Sequence, residues 1–73
     1  MEKLMYNTQY IDAYMQKHEI NKMEFCRRAN ITLRILDNIY AQKDMPYIYP
    51  LAVVDTIGIS VDMFVFRIMK KKD

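Results

Sequence analysis

The chain has 73 residues, of which 52% are hydrophobic and 27% charged, with one cysteine and a net charge of +2. This length fits one compact domain, and the composition excludes a disordered chain, while a lone cysteine excludes an internal disulfide framework. No stretch approaches the ~20 consecutive apolar residues of a membrane span, and residues 1–14 lack the continuous apolar segment of a secretion signal. We expect a soluble, cytoplasmic protein with one domain, residues 1–69, and a short basic tail, residues 70–73.

The first predicted element is an amphipathic helix over roughly residues 5–18. Apolar residues recur there at helical spacing, and the whole chain contains only one glycine. One stripe of this helix carries Leu4, Ile11, Tyr14, Met15 and His18. We expect a structural role for His18, because no cysteine or carboxylate cluster stands at metal-ligand spacing from it.

A second, short helix is predicted to begin at the N-cap Asn21. Glu24 follows three residues later, which is a spacing typical of a capping box. Cys26 falls on the inner face of this helix and is expected to act as a small buried hydrophobe. Asn30 tolerates a left-handed backbone, so it is predicted to end the helix and turn the chain sharply.

The remaining elements are three further helices. Thr32 is the predicted N-cap of a third helix that runs to about Tyr40, with Leu36 and Ile39 inward. A loop over residues 41–49 separates it from a fourth helix, which has Pro50 in its first turn and Gly58 at its C-terminal end. Ser60 is predicted to cap a fifth helix, whose inner stripe comprises Val61, Phe64, Val65 and Ile68. The sequence therefore predicts an all-α domain of five short helices.

The second and third helices are joined by only three or four residues, which forces them to cross steeply rather than lie antiparallel. The outer face of the third helix carries Arg34, Asn38 and Ala41, at i, i+4 and i+7. A steep crossing leaves this face protruding, and a helix ~10–12 Å in diameter fits the major groove of B-DNA. Residues 17–43 also carry the basic excess, with six basic and three acidic side chains.

The run EFCRRANITLRILDNI, followed by AVVDTIGISVDMF, resembles the Cro/repressor-type helix-turn-helix domain (lambda-repressor-like, XRE family) of phage repressors and small bacterial regulators. The resemblance covers about residues 5–66. Cys26 takes the family's small-residue position, and Asn30 stands where the family usually has glycine. Pro50 falls where the family commonly has an apolar helix residue. The resemblance implies a compact five-helix lambda-repressor-like domain.

The resemblance also implies which residues contact DNA. The positions at which family members read bases are Thr32, Leu33, Arg34 and Asn38. Arg34 suits guanine, Asn38 suits adenine, and Leu33 suits a thymine methyl group. The residues expected to contact phosphate are Asn21, Lys22, Arg28 and Lys43.

Met63 and Phe66 are expected to project from the outer side of the fifth helix. A soluble monomer rarely exposes large apolar side chains of this kind to water. Family members often dimerise through this region, and a two-fold pair places its two reading helices about 34–36 Å apart. The alternative is that both side chains fold back onto Tyr6 or Tyr10. We therefore expect a sequence-specific transcriptional regulator that binds double-stranded DNA as a homodimer on a palindromic operator.

Two other functions stay open. One is an antitoxin-like module that uses the same fold mainly to bind another protein. The other is a redox- or ligand-sensing regulator built around Cys26. The sequence offers no Gly-rich phosphate loop, no Ser-His-Asp order and no paired acid/base carboxylates, so we expect no enzyme, no cofactor and no metal.

Overall fold

A computed structural model describes residues 2–69 of the chain, and the side chains of residues 4–66. The elements in chain order are β1 (Glu2–Tyr6), α1 (Gln9–His18), α2 (Lys22–Ala29), α3 (Leu33–Tyr40), α4 (Ile48–Ile57), α5 (Val61–Phe64) and β2 (Val65–Met69). β1 and β2 form a two-stranded antiparallel sheet, in which Tyr6 stands opposite Val65. The basic tail predicted over residues 70–73 lies outside the described residues.

One apolar core joins the helices to the sheet. Its buried members are Tyr6, Ile11, Phe25, Cys26, Ala29, Leu36, Ile39, Val53, Val54 and Phe64. The inward orientation predicted for Leu36 and Ile39 is confirmed, since both are fully buried. Among residues 4–66 no polar or charged side chain is buried, so the burial of apolar surface accounts for the core.

The predicted caps of α2 and α3 are confirmed. The side-chain oxygen of Asn21 accepts a hydrogen bond from the Glu24 N–H at 2.9 Å, and that of Thr32 accepts one from the Ile35 N–H at 3.2 Å. Asn30 ends α2 in the left-handed region with φ 58°. Local side-chain chemistry therefore sets the ends of both helices.

The prediction for α4 is also confirmed, with a shift in its start. α4 begins at Ile48, so the loop before it is two residues shorter than expected. Pro50 lies in the first turn, where its missing N–H removes no hydrogen bond within the helix. Gly58 ends the helix with φ 86°, a conformation that glycine adopts without steric cost.

The prediction of an all-α domain is wrong at the C-terminal end. The fifth helix was expected to include Val65 and Ile68, but α5 is a single turn and both residues lie in β2. Ser60 precedes α5 without making a side-chain cap hydrogen bond. Short apolar runs satisfy helix and strand periodicity equally well, and here the pairing with β1 decides in favour of the strand.

The N-terminal end departs from the prediction in the same way. Leu4 was assigned to the stripe of the first helix, but it lies in β1, and α1 begins only at Gln9. Tyr6 turns its ring into the core, with its centroid 5.9 Å from that of Phe64. This contact packs β1 against the helices. The domain therefore contains five helices and a small two-stranded sheet.

Gln42 fastens β1 to the loop after α3. Its Oε1 accepts a hydrogen bond from the Tyr6 N–H at 2.7 Å, and its Nε2 donates one to the Tyr6 carbonyl at 2.9 Å. Gln42 itself has φ 60°, which is unfavourable for a residue with a side chain. Through these two hydrogen bonds, the Gln42 side chain pairs with the backbone of Tyr6 as a neighbouring strand would.

We expect Gln42→Ala to lower the free energy of unfolding by about 1–3 kcal/mol, because it removes both hydrogen bonds to Tyr6. Gln42→Gly removes the same bonds but relieves the left-handed backbone, so it should cost about 1 kcal/mol less. Urea denaturation of the two variants checks this order. A glycine variant less stable than the alanine variant would contradict the role given to the backbone.

Candidate nucleic-acid interface

The predicted tight corner between α2 and α3 is present. Only residues 30–32 separate the two helices. The N–H of Ile31 donates to the Cys26 carbonyl at 3.0 Å, and the N–H of Asn30 donates to the Arg27 carbonyl at 3.3 Å. These hydrogen bonds satisfy carbonyl groups at the C-terminal end of α2 within two residues of its last residue. The chain can therefore begin α3 after a three-residue turn.

α3 presents a mixed polar face on the side opposite its buried residues. Thr32, Leu33 and Arg34 are exposed, and Asn38 is half-buried one turn further along. Within residues 4–66 the ion pairs are those of Glu24, and Arg34 takes part in neither. Asp37 is also exposed on this face, and it is an acidic group for which no DNA contact was predicted.

The two N-cap residues keep hydrogen-bond donors for another molecule. Asn21 and Thr32 use their side-chain oxygens as acceptors within the protein. The amide group of Asn21 retains two N–H donors, and the hydroxyl of Thr32 retains its O–H. Both residues are exposed, so capping and an external contact are compatible.

Lys22 starts α2 and lies against Tyr40 at the end of α3. Its ammonium is 4.8 Å from the centroid of the Tyr40 ring. The Tyr40 hydroxyl in turn donates a hydrogen bond to the Asp12 carboxylate on α1. Burial and this hydrogen bond raise the pKa of Tyr40, which keeps the phenol protonated. These contacts were not predictable from the sequence, because no local pattern links positions so far apart.

Arg28 is occupied by partners within the protein. Glu24 binds Arg27 at 2.8 Å and Arg28 at 3.1 Å, and Arg28 also donates to the Tyr14 hydroxyl at 3.2 Å. The hydrogen bonds from Arg27 and then Arg28 lower the pKa of Glu24. Glu24 therefore offsets part of the basic charge of α2 instead of completing a capping box.

The remaining predicted site residues lie outside α2 and α3. Lys43 is exposed in the loop after α3, where its N–H donates to the Asn38 carbonyl at 3.0 Å. Met63 on α5 is 47% exposed, and Phe66 is 44% exposed. Phe66 does not extend from a helix as expected, because it lies in β2 opposite Met5.

The thiol of Cys26 is buried, and this burial raises its pKa, so it stays protonated.

Within the described residues no three His, Cys, Asp or Glu side chains are placed to hold a metal ion. No helix among residues 2–69 has the length and apolar character to cross a membrane. Comparisons of the chain with protein-family models, with curated proteins and with solved structures gave no match.

Proposed function

We propose that this protein binds double-stranded DNA sequence-specifically and regulates transcription, in the manner of Cro/repressor-type helix-turn-helix proteins. The observation that carries this proposal is Arg34, exposed on α3 directly after a three-residue turn and outside the ion pairs of residues 4–66. A guanidinium with this freedom pairs bidentately with guanine O6 and N7. We therefore propose that α3 lies in the major groove.

The neighbours of Arg34 supply the other base contacts. Thr32 and Leu33 are exposed at the N-terminal end of α3, which is the end that recognition helices turn to base edges. Asn38 follows one turn later and suits adenine N6 and N7. Asp37 adds a group that accepts a hydrogen bond from cytosine N4.

Phosphate contacts flank this helix in the proposal. Asn21 and Lys22 stand at the N-terminus of α2, where the helix dipole and free N–H groups favour an anion. Lys43 stands beyond the C-terminal end of α3. Arg28 adds a contact only by exchanging Glu24 for phosphate, so Lys22 and Lys43 carry most of the proposed charge contact.

The proposed active form is a homodimer. Met63 and Phe66 are two large apolar side chains that this chain leaves exposed, and association of two copies removes such groups from water. A two-fold axis would set the two α3 helices one turn of DNA apart, about 34–36 Å. Sedimentation at rising protein concentration measures this association, and Phe66→Ser should weaken it.

Selection from a randomised duplex pool, repeated at several salt concentrations, tests the proposal. We expect enrichment of one site made of two symmetric halves, with an affinity that falls steeply as salt rises. A pool that stays random, or an affinity that does not depend on salt, would overturn the assignment to DNA. The selected duplexes themselves define the operator sequence against which variants are titrated.

We expect Lys22→Ala to weaken binding to all duplexes alike and to flatten the salt dependence by about one unit, because it removes one phosphate contact. Titrations against the selected site and against random DNA, at four salt concentrations, measure both effects. Lys17→Ala is the matched control, since Lys17 is an exposed lysine at the end of α1. A slope that changes equally in both variants would contradict a specific contact by Lys22.

A groove on α4 favours a protein partner as the second candidate function. It is a shallow, open depression of about 560 Å³ beside Ile48, Leu51 and Ile59, and Ile48 is 66% exposed. An antitoxin-like module would use such a surface for its partner. The randomised pool separates the two functions, since a module of this kind that did not bind DNA would enrich no sequence.

A further inference from the structure

We propose that Tyr40 is a positioning residue that holds the Lys22 ammonium ready for a DNA phosphate, and that Asp12 fixes Tyr40 in place. This inference rests on the proposed function. It assigns a task to two residues that the DNA contacts described above do not use. The three side chains come from α1, α2 and α3, so the arrangement links these three helices.

The contact between Lys22 and Tyr40 orders the ammonium without neutralising it. A cation 4.8 Å from a ring centroid is attracted by the electron-rich face of the ring. The ring has no net charge, so the ammonium keeps its full charge and the N–H donors that point away from the ring. Lys22 takes part in neither of the ion pairs within residues 4–66.

The arginines of α2 provide the contrast. Arg27 and Arg28 share the carboxylate of Glu24, which offsets their charge. Lys22 has an aromatic neighbour in the place of such a carboxylate. The same short helix thus holds two cations with an anionic partner and one cation with a neutral partner.

Asp12 acts on Lys22 indirectly, through its hydrogen bond with Tyr40. Its carboxylate accepts a hydrogen bond from the Tyr40 hydroxyl, while the face of the same ring lies against the Lys22 ammonium. A hydroxyl that donates to a carboxylate also makes its ring more electron-rich, which strengthens the attraction for the cation. Because a free lysine side chain loses much rotamer entropy on binding, an ordered Lys22 meets phosphate at a smaller entropic cost.

The test compares Tyr40→Leu with Tyr40→Phe. The leucine variant removes the ring, and we expect about a two- to fivefold loss of affinity for every duplex, with a salt dependence flattened by up to one unit. The phenylalanine variant keeps the ring face but loses the hydrogen bond to Asp12, so its affinity and salt dependence should lie between those of the wild type and those of the leucine variant. Adding Lys22→Ala to Tyr40→Leu should flatten the salt dependence no further than Lys22→Ala alone.

A purely structural role for Tyr40 predicts a different result. Tyr40→Leu would then lower the unfolding temperature, leave the salt dependence unchanged and add to the effect of Lys22→Ala, and this outcome overturns the inference. Proton NMR of the free wild-type protein supplies a measurement that needs no variant to fold. The Cε protons of Lys22 should show an upfield ring-current shift, and ordinary random-coil shifts would overturn the placement.

The failure of this inference is distinguishable from the failure of the proposed function. A wild-type protein that binds no duplex overturns the proposed function and the task of Lys22 together. A wild-type protein that binds duplex with salt dependence, while Tyr40→Leu keeps that dependence, overturns only the role of Tyr40. The NMR shift reports on the Lys22–Tyr40 contact in either case.

Discussion

Replacing Phe25 with alanine is expected to lower the free energy of unfolding by about 3–5 kcal/mol. The ring is fully buried and meets Tyr14 edge-on, with centroids 5.6 Å apart. Truncation removes this apolar area from the core and leaves a cavity that short helices fill only in part. A domain of 73 residues has only about 4–11 kcal/mol of stability, so the variant should be largely unfolded in moderate urea.

Met23→Ala is the matched control for this prediction. Met23 lies on the same helix two residues earlier and is 70% exposed, so its truncation should change stability by no more than about 0.5 kcal/mol. Urea denaturation followed by circular dichroism measures both variants. A Phe25 variant that loses less than about 1 kcal/mol would be incompatible with the described core.

Arg34→Ala should weaken binding to the selected operator by about 1–3 kcal/mol while affecting random DNA only slightly. The reason is geometric, since an exposed guanidinium on α3 gains its energy from one base pair and not from phosphate charge. Fluorescence anisotropy on the selected duplex and on a scrambled one measures the two affinities. The preference for guanine at one position of each half-site should relax in the variant.

Arg34→Lys separates base reading from charge. Lysine keeps the positive charge but lacks the planar pair of donors that fits guanine bidentately. This variant should bind random DNA like the wild type and lose part of its preference for the operator. Equal losses on both duplexes in Arg34→Ala would make Arg34 a phosphate contact instead of a base-reading residue.

The helix ends around the proposed interface were predictable because their causes are local. Asn21 and Thr32 cap the helices that directly follow them, and Asn30 adopts the left-handed conformation that its side chain tolerates. The exposure of Arg34 followed from its position opposite Leu36 and Ile39 on a helix of known period. Each inference used residues within one or two turns of each other.

The sheet was not predictable, because its cause is not local. Residues 65–69 pair with residues 2–6 across almost the whole chain, and neither strand has a turn signal that would join it to the other. Phe66 therefore has an exposure close to that expected but stands on a different element. Pairing at long range overrode the continuation of the helical pattern beyond Phe64.

The surroundings of the proposed DNA contacts were equally beyond the sequence. Nothing in the spacing of Asp12, Lys22 and Tyr40 indicates that three helices bring them together. The hydrogen bond from Arg28 to Tyr14 likewise depends on the packing of α1 against α2, whereas the ion pair of Arg28 with Glu24 is a local i,i+4 contact within α2. Residue type and spacing identify the basic side chains that could contact DNA. The packing of the helices decides which other side chains those basic groups contact within the protein.

The amide of Gln42 has a consequence for how the molecule opens. The amide proton of Tyr6 is bound by a side chain 36 positions away, so its exchange with solvent requires that this hydrogen bond break. Movement of the segment after α3 and release of β1 should therefore be coupled, because both break the same pair of hydrogen bonds. An event at the far end of α3, such as the binding of an anion by Lys43, would reach β1 and the paired strand β2 through a single side chain.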